Sequence, residues 1–148
     1  MNKLSSKGLD LYSNQILEDY DAKKPSQIFK NKVQVSNEDA LLIQNKVTEL
    51  RVSRGEEIIG YKIGCISKDT QKKMDLSHPA KGTLWKHELH QSGVELNKKD
   101  YFNPAMEAEF GIILNRDINP ESVSFDYILD SVQSIYPLIE IHNLVFNG

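Results

Sequence analysis

The segment NPAMEAEFGIILNRD, residues 103–117, places Glu107 and Glu109 one residue apart inside an apolar run. Residues two apart on a strand share a face, so in a strand the two carboxylates stand side by side and repel. Carboxylates withdrawn from water must share a proton, meet a cation or coordinate a metal, because unpaired burial is costly. A solvated sheet face that carries two glutamates by chance is the alternative. Glu140, in YPLIEIHNLVF, is a single acid bracketed by Ile139 and Ile141, with Leu138 and His142 on its face. It is either a charge that guards a strand edge or a third ligand. Three converging carboxylates make an all-oxygen set suited to Mg2+ or Mn2+ and poorly suited to zinc, for which the chain carries no convincing Cys and His set. His78, His87, His90 and His142 have no metal-ligand spacing and read as surface histidines. Lys62, in IIGYKIGCIS, has Gly60 and Gly64 as same-face neighbours, so its ammonium stands in a clearing that a ligand can use. An edge lysine beside a glycine bulge is the competing account.

These groups need elements to hold them. Leu9, Tyr12, Ile16, Leu17 and Tyr20 recur at helical spacing between Ser5 and Lys24, and KKPS breaks the pattern. Ser36 and Asp39 occupy capping-box positions ahead of a second helix that carries Ala40, Ile43, Val47 and Leu50 on one face and closes at Gly55. EEIIGYKIGCIS then predicts a buried strand, Ser67 caps a short helix through Met74, and SHPAKGTL reads as a loop. Further on, Ala105 to Leu114 predicts a strand with Met106, Ala108, Phe110, Ile112 and Leu114 facing the core. Phe125 to Ser134 reads as a helix with Phe125, Ile128 and Val132 inward, and Leu138 to Phe146 as a final strand. The fold class expected is α+β, with a helical region over 1–55 and a mixed β-sheet over 56–148. Asn147 and Gly148 follow an apolar strand directly, which reads as a chain cut short with an exposed edge ready to associate.

Composition narrows the function classes. With 18 basic and 21 acidic side chains the net charge is −3, and no basic stripe with interleaved aromatics offers a nucleic acid a footprint. No apolar run has the length of roughly 20 residues that crosses a bilayer. Cys65 is the single cysteine and has no internal partner, and the N-terminal residues lack the apolar stretch of a secretory signal, so a reducing, cytoplasmic setting is expected.

Taken together, GYKIGCIS with Gln71 shortly after, HPAKGTL, PAMEAEFGIILNRDI and YPLIEI fall in an order and spacing that resembles the 2-keto-4-pentenoate hydratase family of the fumarylacetoacetate hydrolase superfamily. EDALLIQNKV is similar to the family's segment ahead of its lysine strand. The resemblance spans roughly residues 36–142 and implies part of a mixed β-roll behind N-terminal helices. It implies that Glu107, Glu109 and Glu140 ligate Mg2+ or Mn2+, that Lys62 is catalytic, and that Gly82 and Leu84 contact substrate. The implied reaction adds water to a short 2-hydroxy-dienoic or 2-oxo acid, as in aromatic-compound degradation, in a homo-oligomer. A related decarboxylase or acylpyruvate hydrolase, and a non-catalytic truncated relative that serves as a binding partner, are the alternatives. Two departures stand out: the family's Pro-Asp-x-Gly loop, whose acid is proposed to transfer protons, here reads Pro79-Ala80-Lys81-Gly82, and the acidic strand continues as IHNLVF instead of with Asp and Arg.

Overall fold

The computed structural model describes residues 4–28 and 35–143. Helix α1 (Ser6–Asp21) begins where the Ser5 hydroxyl accepts a hydrogen bond from the Gly8 amide at 3.1 Å. Helix α2 (Asn37–Ser53) begins in the same way at Ser36, which accepts from the Asp39 amide at 3.1 Å, with Glu38 and Asp39 in the first turn facing the positive end of the helix dipole. At its other end Gly55, at φ 95°, closes the helix: the Glu56 amide donates to the Arg51 carbonyl at 3.1 Å and the Gly55 amide to Val52 at 2.9 Å. That pair of bonds satisfies carbonyls a helix end otherwise leaves open, and the conformation favours glycine. The helices approach closely because a small residue, Ser13, is fully buried between them and donates to the Ile43 carbonyl at 3.5 Å.

Strand β1 (Ile58–Gly64) follows, then helix α3 (Lys68–Lys73) capped by Ser67, then strand β2 (Ala80–Trp85), which pairs antiparallel with β1. SHPAKGTL is therefore not a loop throughout. Pro79 and Gly82 carry turn-like signals locally, and the ladder with β1, a long-range interaction, overrides them. Nor is β1 a buried strand, since Ile59, Tyr61 and Ile63 all face outward.

By compactness the described residues divide after Asp100, and those from Tyr101 on form a second unit. It is built on one long antiparallel pair, β3 (Pro104–Leu114) and β4 (Val132–Asn143), with helix α4 (Phe125–Asp130) between them in sequence. The helix expected over Phe125–Ser134 stops at Asp130, and β4 starts at Val132, earlier than the expected Leu138. Ser131 makes the change of direction: wholly buried, it donates to the Tyr127 carbonyl at 2.7 Å and accepts from Arg116 Nε at 2.8 Å. Leu144 to Phe146 of the expected strand lie outside the described residues. The stripe from Met106 to Leu114 does not enter a core, for Met106 is 75 % exposed and Phe110 77 %, and Phe125 of the helix is 77 % exposed as well. Alternation alone could not tell an apolar face that is covered from one that is not. The α+β class itself stands.

Candidate metal centre

In the β3–β4 ladder Glu107 pairs with Glu140 and Glu109 with Leu138. Directly opposed residues of an antiparallel pair point to the same face, as do residues two apart along each strand. Glu107, Glu109 and Glu140 therefore share one face by register alone. One carboxylate oxygen from each lies within 4.8 Å of the other two. Three like charges at that separation repel by an amount that grows as solvent is excluded, and a divalent cation removes the cost. The donor set is oxygen only, which suits a hard cation such as Mg2+ or Mn2+.

The same face shows how the ladder shapes the ground around the carboxylates. Gly111, two residues beyond Glu109, pairs with Tyr136. A Cβ at Gly111 would meet Tyr136 Cε2 at 2.7 Å and Leu138 Cδ2 at 2.8 Å. Glycine is required here because the tyrosine ring and the leucine lie across the backbone and wall the glutamates on that side. On the other side stands His142, next to Glu140 on its face, with Nε2 3.4 Å from Glu107 Oε1. The expectation of a surface histidine fails: the side chain is 34 % exposed, but Nε2 itself is buried without a hydrogen bond.

Lys62 and the two glycine-strand positions belong to the other unit. Lys62 pairs with Gly82, and Gly60 with Leu84, so Lys62, Gly82 and Leu84 share a face of the β1–β2 hairpin. A Cβ at Gly82 would lie 3.9 Å from Lys62 Cβ, and one at Gly64 3.9 Å from Lys62 Cε. The half-buried lysine stem thus runs through the clearing that these glycines open. Just beyond the strand Cys65 adopts φ 54°, held by buried Gln71, whose Nε2 donates to the Cys65 carbonyl at 2.9 Å. Lys81, exposed on β2, places its ammonium 4.6 Å from the centre of the Tyr61 ring. Ala80 brings no carboxylate to the start of β2.

A node absent from the sequence reading ties this unit together. Arg51, only 7 % exposed, stacks 4.0 Å from the Trp85 ring and 4.8 Å from that of Tyr20. It bonds Glu56 and Glu88, each at 2.7 Å. Burial is the strongest influence on Glu56 and pushes its carboxyl up, but hydrogen bonds and charges from Arg51 and Arg54 together hold it below its ordinary value. Tyr20 is pushed up to about 12, first by burial and then by its hydrogen bond to Glu88. Glu56 lies two residues before β1, so Arg51 ties down the approach to the strand carrying Lys62. Apart from Glu56, its partners Tyr20, Trp85 and Glu88 are distant in sequence, and no local pattern announces them.

No protein-family model matches the chain. Among curated proteins it is 30 % identical over 104 residues to a 2-keto-4-pentenoate hydratase of Paraburkholderia xenovorans, covering 70 % of this chain and 39 % of that protein. It is also 30 % identical over 108 residues to a 2-hydroxypent-2,4-dienoate hydratase of Pseudomonas putida, covering 72 % of this chain and 49 % of that one. The chain thus spans less than half the length of these relatives. Among solved structures it matches a 4-oxalocrotonate decarboxylase of Pseudomonas putida G7, complexed with magnesium and adipate, at a TM-score of 0.85 and 16 % identity, over 99 % of this chain and 57 % of that one. At that identity the likeness shows the fold.

Proposed function

Because this chain belongs to the 2-keto-4-pentenoate hydratase family of the fumarylacetoacetate hydrolase superfamily, we propose that Glu107, Glu109 and Glu140 hold Mg2+ or Mn2+ and that the whole protein hydrates a short 2-hydroxy-dienoic acid. The observation that carries this reading is the convergence of three carboxylates within 4.8 Å on one face of one ladder. A divalent ion bound there supplies Lewis-acid polarisation of the 2-oxygen and neutralises the substrate carboxylate. The glutamates set where the acid end of the substrate sits, and Tyr136 and Leu138 over Gly111 offer an apolar wall beside it.

Lys62 holds and returns the proton that moves as the dienol becomes the keto acid, since its ammonium donates hydrogen bonds and carries the charge opposite to the developing anion. Gly82 and Leu84, which share a face of the hairpin with Lys62, belong to the proposal as substrate contacts. Hydration further requires a base for the incoming water. Ala80 supplies none, and this observation favours the second reading, a decarboxylase of the same superfamily, in which carbon dioxide leaves and no water is activated. Association of copies belongs to the proposal too, with sedimentation as its measure.

The test begins with calorimetric titration of Mg2+ and Mn2+ in the presence of oxalate, a planar diacid with the chelating oxygens of a 2-oxo acid. Metal-dependent oxalate binding that vanishes in Glu109→Ala is the expected result. A folded chain that binds neither would overturn the metal reading. Loss of ultraviolet absorbance from a 2-hydroxy-dienoate, against carbon dioxide release from an oxalocrotonate, then separates hydration from decarboxylation.

A further inference from the structure

The turn that ends α1 sets two polar side chains without partners beside an apolar cavity. Lys23, at φ 52°, closes the helix: its amide donates to the Tyr20 carbonyl at 3.0 Å and the Lys24 amide to the Asp19 carbonyl at 2.9 Å. Backbone alone satisfies this helix end, and the chain then carries Ser26 inward, where it is 3 % exposed. Asp19 Oδ2 and Ser26 Oγ are both buried, and neither has a hydrogen-bond partner among the described residues. The other Asp19 oxygen accepts from Gln15 Nε2 at 3.1 Å. Asp19 and Ser26 line one cavity of about 60 Å³, walled by Ile16 and Leu17 of α1 and Val47 of α2.

Buried polar groups are costly to leave unpaired, so two of them on one cavity point to an occupant. A carboxylate oxygen only accepts and a serine hydroxyl does either, so the occupant must donate to Asp19 and can accept from Ser26. One hydroxyl group does both. Charge favours a neutral molecule: an anion would face Asp19, and a cation would share the cavity with Lys24 and Arg51, which also line it. The polar ends of Tyr20 and Arg51 do not compete for the two oxygens, since Tyr20 donates to Glu88 and Arg51 is committed to Glu56 and Glu88. The volume exceeds what one water fills, and the aliphatic wall offers no further hydrogen bond, so carbon suits the remaining space better than a second water. We propose that this cavity binds a primary alcohol of two or three carbons, its hydroxyl between Asp19 Oδ2 and Ser26 Oγ and its alkyl stem against Ile16, Leu17 and Val47. The site is independent of the carboxylate centre, because none of its residues belongs to β3 or β4. Arg51 is part of its lining, so an occupant also braces the stack that ties α2 to Glu56 and Glu88.

The experiment titrates ethanol, ethylammonium and acetate, matched in size and different in charge, into the whole 148-residue chain and follows amide signals by nuclear magnetic resonance. Ethanol is expected to give saturable shifts confined to residues 16–20, 26 and 47–51, with a Kd on the order of millimolar, the range open to a ligand of three heavy atoms. Ethylammonium and acetate are expected to give none there. In Ser26→Ala, checked for folding by circular dichroism, the ethanol affinity is expected to fall by about threefold or more. Saturable binding of ethylammonium or acetate at least as tight as that of ethanol overturns the proposal, as does an unchanged affinity in Ser26→Ala. Ethanol shifts that never saturate, or no shift at these residues, overturn it as well and leave water as the occupant. The comparison of the three probes needs only the wild type, so a variant that misfolds cannot shield the proposal.

Discussion

The two units gather charge in opposite ways. Around Arg51 the signs are matched: one buried guanidinium lies between Glu56 and Glu88, Arg54 reaches Asp21 and Glu56, and the Trp85 and Tyr20 rings cover the stack. On the β3–β4 face three acids of one sign are brought within 4.8 Å. The first cluster is neutralised by the chain itself and serves to lock elements together. The second gathers three carboxylates of one sign on one face of a strand ladder, the arrangement from which the metal reading is proposed.

Substitutions can break or sharpen this contrast. The largest effect is expected at Arg51: Arg51→Ala leaves Glu56 and Glu88 facing each other beside Trp85 and should cost about 3–5 kcal/mol in urea unfolding followed by tryptophan fluorescence. A cost near zero would make the node ornamental. At the acid face the readout is the ion itself. Glu109→Ala should weaken Mn2+ binding by at least about a hundredfold, as judged by calorimetry. Gly111→Ala comes next, since the added methyl must displace Tyr136 and Leu138; about 1–3 kcal/mol of destabilisation and a weaker Mn2+ affinity are expected, measured by thermal melts with and without the ion.

The smallest effect is one of pH. Glu56 has its folded value below the ordinary 4.5, so the stability it contributes is present in full above about pH 4.5 and drains away as acidification passes through the lowered value. Glu56→Gln should flatten that acid limb and leave the limb above pH 7 unchanged. Denaturant midpoints taken across the acid range provide the measure.

Local chemistry was readable. Ser36 and Ser67 cap the helices their spacing promised, Gly55 ends the second helix, and the Glu107 strand runs within one residue of its expected start. What eluded a linear reading depends on partners remote in the chain. Strand β2 exists through its pairing with β1, the Arg51 node joins residues from Tyr20 to Glu88, and the buried nitrogen of His142 follows from a register that puts it beside Glu107. The exposed stripe from Met106 to Phe110 failed for the converse reason, because alternation states that a face is apolar without saying what lies against it.

The direct pairing of Glu107 with Glu140 makes the carboxylate cluster a gauge of strand alignment. A slip of one residue between β3 and β4 would turn one strand's acids to the opposite side of the sheet and scatter the oxygens. An ion held by all of them, as proposed, would therefore act as a ratchet pawl, rewarding a single alignment among the several that an apolar, alternating ribbon would otherwise sample. Occupancy and correct alignment of the strand pair would then be the same event.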